Sequence, residues 1–255
     1  MHPVIFTVGN YPVHVWGVAL MFAFLLATWR GAQSCPRYCV QKSVLWDCAL
    51  YGLIGGVIGG RVAYVLQQPS YFAGHPLEIF AMWQGGATSF GGFIGGLWAG
   101  IATAKKRGIP LGHAADMAAI GLPLGYAVGR IGCFLNGCCF GGHCDLPWGV
   151  NLPEGTVSAV NPVHPVPIYS ALCALAIYGV LHFMEIKPRV PGQLLAMFAM
   201  LYGVYRFLIE FIREGVTAKV EFGTLTTGQY ASIVVFLAGL IVFFMLAKRG
   251  QKVSF

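Results

Sequence analysis

The sequence is poor in charge. Only 10% of its 255 residues are Asp, Glu, Lys or Arg, while 57% are hydrophobic. Soluble domains carry about 25% charged residues, so an ordinary water-soluble fold is excluded and an integral membrane protein is expected. The sequence also lacks a continuous basic face. Its net charge of +7 is spread between long apolar segments, which argues against nucleic acid as a partner. No basic n-region precedes the first apolar run, so that run is expected to remain as a span rather than be cleaved as a signal peptide. There is no tandem repeat, no low-complexity linker and no CxxC ligand pair. The inverted repeat and broken helices of a midplane transporter site are also missing.

What is present is a series of apolar segments long enough to cross a bilayer, each needing about 17–25 residues. Seven are expected: Val13–Trp29, Val44–Leu66, Gly85–Thr103, Leu111–Val128, Val166–Met184, Gln193–Phe211 and Tyr230–Ala247. The third is short and glycine-rich. Arg30, Arg37 and Lys42 follow the first; Lys105, Lys106 and Arg107 the third; Lys187 and Arg189 the fifth; Lys248, Arg249 and Lys252 the seventh. No Lys or Arg lies between the second and third. The positive-inside rule then places the N-terminus outside and the C-terminus in the cytoplasm. The expected architecture is one all-α membrane domain over 1–255. Residues 67–84 form an interfacial arm carrying Pro69, Tyr71, Phe72, His75, Pro76 and Trp83, and residues 130–165 a small periplasmic or extracellular head. Glycines recur in spans two (Gly55, Gly56, Gly59, Gly60) and three (Gly85, Gly86, Gly91, Gly92, Gly95, Gly96, Gly100). Two readings stand: close helix packing, or room for a lipid.

Five basic residues fall outside the cytoplasmic clusters: Arg61, Arg130, Arg206, Arg213 and Lys219. At 1.5 Å per residue, Arg61 and Arg206 lie roughly 20–25 Å from the cytoplasmic starts of their helices, and Arg130 ends the fourth span. Tyr202, Arg206, Glu210, Arg213 and Glu214 share one helical face, so Arg206 and Glu210, and then Glu210 and Arg213, are at pairing distance. Snorkelling to the interface is the plain alternative, chiefly for Arg61 and Arg213. Arginines at headgroup depth suit an anionic phosphate, whose oxygens match the guanidinium fork. A membrane phospholipid is therefore the expected ligand.

Gly129–Gly142 carries Arg130, Gly132, Cys133, Asn136, Gly137, Cys138 and Cys139, with Cys144 just beyond. Cys133 and Cys138 are five residues apart, as are Cys139 and Cys144. A disulfide bracing the head is the leading expectation. Small buried thiols, a zinc site including His143, and a reactive thiol are the alternatives. Cys35 and Cys39 fall in a cytoplasmic loop and are expected to be reduced.

These motifs, in order, resemble the prolipoprotein diacylglyceryl transferase family. The resemblance rests on Pro3–Gly9 with His14–Gly17, Gly59-Gly60-Arg61 with Tyr64, Gly85-Gly86 with Gly91–Gly95, and Gly129–Gly132 with Asn136, Gly137 and Gly141. His164-Pro165 with Tyr169, and Arg206 with Glu210–Arg213, complete it. It implies a multi-pass protein of the bacterial inner membrane with its active site toward the outer face. The implied reaction transfers a diacylglyceryl group from phosphatidylglycerol to the lipobox cysteine of a prolipoprotein signal peptide, releasing glycerol phosphate. The family's span-three histidine is Phe90 here. Its loop Asn and Glu are Cys133 and Cys138, its first-span Tyr aligns with Trp16, and its span-five acid is Ser170. On this resemblance Arg130 and Arg206 hold the phosphate, Glu210 orients Arg206, and Arg61, Gly132, Asn136, Gly137, Tyr169, Arg213 and His14 help place the headgroup. His164 is the first candidate base, with a backbone-bonded helix-start residue as the alternative. No cofactor and no metal is expected. The competing functions are a paralogue with another acceptor and a non-catalytic phospholipid-binding protein.

Overall fold

The computed structural model describes residues 4–8, 11–81, 85–152, 162–187, 189–213, 220–222 and 225–249. Pro3, Gly9, Trp83, Glu214, Lys219 and Lys252, together with 153–161 of the expected head, lie outside the described residues. A short hairpin, β1 (Val4–Val8) and β2 (Tyr11–His14), pairs antiparallel with Val4 opposite His14. The rest is helical: α1 (Val15–Ser34), α2 (Lys42–Gln67), α3 (Pro69–Gly74), α4 (Ser89–Lys106), α5 (Leu111–Asn136), α6 (Val166–Glu185), α7 (Gln193–Ile209) and α8 (Thr227–Arg249). A two-stranded ribbon, β3 (Val220–Phe222) with β4 (Leu225–Thr226), precedes α8.

Five of these helices are long and apolar enough to cross a membrane: α1 with the turn that follows it, α2, α5, α6 and α8. The expectation of seven meets two weaker members. At 17 residues α7 is about 26 Å long, short of the ~30 Å hydrocarbon core. The second, α4, matches the third expected span but is rich in glycine and ends on Lys105 and Lys106. The protein is an all-helical integral membrane protein.

Chain contacts divide it into two compact units, Ala32–Ala114 and the remainder, Met1–Gly31 with Ala115–Phe255. In the first unit α2 and α4 pack backbone to backbone. A Cβ on Gly55 would meet Gly95 O at 2.7 Å, and one on Gly95 would meet Gly55 O at 2.3 Å. Gly59 and Gly91 are equally close, with a Cβ on Gly59 falling 2.5 Å from Gly91 O. These glycines are therefore filled by the neighbouring helix, the packing reading of the two. Thr88 starts α4, its hydroxyl accepting from Gly91 N.

In the second unit α1 lays Ala19, Ala23 and Ala27 against Gly132, Gly125 and Gly121 of α5. The core joins Ala119 and Ile120 of α5, Val166, Ile177 and Leu181 of α6, and Leu194, Tyr205 and Ile209 of α7. Buried Asp116 supplies what the start of α7 lacks, accepting from the backbone N–H of Gly192 (2.9 Å), Leu194 (2.9 Å) and Leu195 (3.3 Å). Arg30 reaches from the end of α1 to Glu185 and Tyr178 of α6. These bonds lock the helix ends opposite the loop that begins at Asn136.

Candidate active site

The end of α5 shapes the site. Gly137 adopts φ +78°, and its N–H reaches Phe134 O at 3.2 Å while Cys138 N–H reaches back to Cys133 O at 3.1 Å. This is a Schellman closure, for which glycine is favoured at the left-handed position. Its geometry folds the residue after the glycine over the fourth from last of α5, here Cys138 over Cys133. Cys139 then turns again, at φ +66°. The three sulfurs come to lie within 4.8 Å of one another. Beyond them, Gly141 N–H donates to His164 O (3.0 Å), Gly142 N–H to Ile212 O (3.1 Å), and His164 N–H back to Gly142 O (2.9 Å). The loop is thus held between the entry to α6 and the exit of α7, and Gly141 forms a bridge with Arg213.

All eight cysteines are free, so the expected disulfide is corrected to a trio of half-buried thiols. The Schellman turn brings Cys138 to Cys133, while Cys144 is buried elsewhere. His143, considered as a zinc ligand, is instead exposed and bonded to Asp145 at 2.8 Å. Hydrogen bonds from the Cys133 and Cys138 thiols, with the charges of Arg130 and Arg213, lower the Cys139 thiol to about 5. Desolvation and its neighbour Cys139 push Cys138 up.

Arg130 is half-buried at the last turns of α5, with its guanidinium carbon 4.7 Å from the ring centroid of Tyr126, one turn earlier. Among the described residues no carboxylate pairs with it. The Tyr126 hydroxyl lies 3.1 Å from that of Tyr205, which donates to Ser170 Oγ at 2.6 Å; Ser170 in turn donates to Val166 O. This relay fixes the aromatic platform under Arg130. Arg206 of α7 is paired with buried Glu210, as the i,i+4 spacing predicts. Tyr126, beneath Arg130, packs edge-on against Tyr202 with ring centroids 5.8 Å apart, and Tyr202 lies one turn before Arg206. The two arginines, from separate helices, thus border one aromatic pair. The further Glu210–Arg213 pair is not formed among the described residues, because the second oxygen of Glu210 accepts from Thr226 (3.3 Å). Gly228 leaves it room, since a Cβ there would fall 2.5 Å from Oε1.

The remaining expected residues separate. His164 Nδ1 is 3.3 Å from the Tyr169 hydroxyl, which also accepts from the indole N–H of Trp148 at 2.8 Å. His14 and Asn136 line one open, mostly apolar cleft of about 510 Å³ with Val13, Trp16, Gly17, Val18 and Met21. The Asn136 side chain also bonds to the Cys138 thiol. Gly132 is buried against Ala19, whose Cβ would lie 2.4 Å from a Cβ placed there; helix packing accounts for it. Arg61 belongs to the other unit. It is buried and donates to the carbonyls of Glu78, Ile79 (2.9 Å), Gly85 (2.6 Å) and Gly86 (2.9 Å), stapling the segment after α3 to α2. With these four bonds its guanidinium is taken up by backbone. Sequence reasoning missed Tyr126, Tyr205 and Trp148. The spacing of Tyr126 to Arg130, four residues, was visible; Trp148 reaches Tyr169 only through the folded head.

The model of one protein family, described as prolipoprotein diacylglyceryl transferase, matches residues 3–245. A phosphatidylglycerol–prolipoprotein diacylglyceryl transferase of Bordetella avium is 36% identical over 261 residues, covering 98% of this chain and 96% of its own. Proteins of the same name from Nitratidesulfovibrio vulgaris and Bordetella parapertussis are each 34% identical, again over 98% of this chain and 95% and 97% of theirs.

Proposed function

The chain belongs to the prolipoprotein diacylglyceryl transferase family, and we propose that it moves a diacylglyceryl group from phosphatidylglycerol to the lipobox cysteine of a prolipoprotein signal peptide. In this reading seven helices span the bacterial inner membrane with the N-terminus outside, and the site faces the outer leaflet. The observation that carries it is Arg130: a half-buried guanidinium held on the Tyr126 face, with no carboxylate partner among the described residues. A cation kept at membrane depth in this state is built for an anionic ligand.

The reaction forms a sulfur–carbon bond and breaks the bond from the glycerol carbon to the phosphate oxygen. Glycerol phosphate leaves with an additional negative charge. In this reading Arg130 and Arg206 take that charge as it develops, the usual largest contribution to such catalysis. Glu210 holds Arg206, and Tyr202 packs against the Tyr126 ring that carries Arg130. The thiol must lose its proton to become the nucleophile. His164, steadied by Tyr169 and Trp148, is the candidate to receive it. The apolar cleft with His14 and Asn136 suits part of an acyl chain or the signal peptide, and Arg213 and Gly137 shape the loop against it. Arg61 acts by holding the arm segment rather than by touching phosphate.

The test is transfer of labelled diacylglycerol to a lipobox peptide. Arg130→Ala should lower the rate by about 10²–10³ while the protein remains folded in the membrane. A full-rate Arg130→Ala protein would overturn the assignment. Rescue of a strain depleted of its own transferase would separate this function from a paralogue with another acceptor.

A further inference from the structure

We propose that Cys133, Cys138 and Cys139 form a three-thiolate site for one zinc-class divalent cation, whose open fourth position takes the acceptor thiol of the prolipoprotein. The proposal rests on the reaction above and names what activates its nucleophile.

Three independent backbone features deliver the sulfurs to one point. Cys133 projects from the last turns of α5, Cys138 is folded over it by the Schellman closure, and Cys139 stands at φ +66°. A side chain bearing a Cβ is disfavoured in that left-handed region, which glycine and asparagine usually occupy. The sulfurs lie within 4.8 Å of one another. Three thiolates around one zinc, each at about 2.3 Å, sit roughly 3.8 Å apart, so closure needs only side-chain adjustment. No histidine or carboxylate joins the group among the described residues. A purely sulfur set selects soft cations and disfavours magnesium, calcium or manganese.

Three protein ligands also distinguish a catalytic zinc site, which keeps one position open, from a closed structural one. Charge favours the same reading. Three thiolates on a divalent cation carry one excess negative charge, and the loop that holds them starts three residues after Arg130 and is bridged at Gly141 to Arg213. The neighbours fit the acceptor. Asn136, bonded to Cys138, lines the apolar cleft, and Arg130 supplies the proposed phosphate contact. A thiol bound at the fourth position gives its proton to His164 and remains a metal-bound thiolate. Its sulfur attacks the glycerol carbon. The carbon–oxygen bond breaks, its electron pair leaves on glycerol phosphate, and the product thioether, a weaker ligand than thiolate, is released. No electron is gained or lost by the metal.

The experiment uses the full chain purified in detergent, loaded with Zn²⁺ or with Co²⁺ as a spectroscopic substitute. One cation per chain is expected, with thiolate-to-cobalt charge-transfer absorption that shifts when a lipobox peptide thiol is added. Cys133→Ser, Cys138→Ser and Cys139→Ser should each lose it, and Cys173→Ser should keep it. Because a serine variant can fail by misfolding, the unaltered protein is also stripped with a chelator: transfer should fall by about 10²-fold and return with Zn²⁺. Absence of sulfur-ligated cation, binding of Cu⁺ without any response to the peptide, or full-rate transfer by stripped protein overturns the proposal; the last leaves the transferase reading intact. A loaded protein that responds to the peptide thiol yet never transfers lipid supports the metal site and overturns the reaction.

Discussion

Glu210 is the residue on which the second arginine depends. Its carboxylate is buried, with one oxygen on Arg206 and the other accepting from Thr226. Removing one member of a buried pair leaves the other charge uncompensated, at a cost of about 3–5 kcal/mol. Glu210→Ala should therefore lower the unfolding temperature in detergent and reduce lipid transfer together. Glu210→Gln, which keeps an acceptor for Thr226 but not the charge, should fall between. Normal transfer in Glu210→Ala would detach Arg206 from the chemistry. This pair was legible in the sequence because helical spacing alone brings residues four apart together. The same rule covers Tyr126 and Arg130. By contrast, the 21 residues between Trp148 and Tyr169 pass through the head, and no local periodicity brings those two together.

At the scale of elements, hydropathy marks helices well and their contacts poorly. The apolar segments coincide with α1, α2 and α4–α8, yet the paired glycines of α2 and α4 fit either a lipid or a helix until the backbones are seen touching. That contact gives a prediction. Gly95→Ala drives a Cβ to 2.3 Å from Gly55 O, which a backbone carbonyl cannot avoid. It should cost about 1–3 kcal/mol, the range for overpacking. Gly100→Ala meets only Cys48 O at 3.9 Å, so the better helix propensity of alanine, worth up to ~1 kcal/mol, should leave it neutral or stabilised. Thermal unfolding of the two variants side by side decides this. Equal loss in both would mean that helix propensity, and not close approach, governs the pair. The turn after α5 was not legible: the expected span stopped at Val128, whereas the helix runs on to Asn136, and the meeting of three thiols beyond it follows from dihedral angles a sequence does not display.

For the whole molecule, orientation rests on where the basic residues that are not buried lie along the chain. Arg30 and Arg189 are buried, the first paired with Glu185 and the second 3.9 Å from Asp116, so they count less than their positions suggest. Arg37, Lys42, Lys105, Lys106, Arg107, Lys187, Lys248 and Arg249 still lie at the ends assigned to the cytoplasm. The bias in short loops sets topology, and the proposed N-outside arrangement rests on these eight residues. On that proposed arrangement exposed Cys39, in the loop after α1, belongs to the cytoplasmic side, and exposed Trp148, in the head, to the outer side. In a background with every other cysteine replaced by serine, Cys39 should react with a membrane-impermeant maleimide only after the cells are permeabilised. A cysteine placed by Trp148→Cys, with Cys39 also replaced, should react in intact spheroplasts. The reverse pattern would put Arg130 and the thiol trio on the cytoplasmic face, where no translocated prolipoprotein reaches them, and would overturn the outer-leaflet site while leaving the family assignment in place.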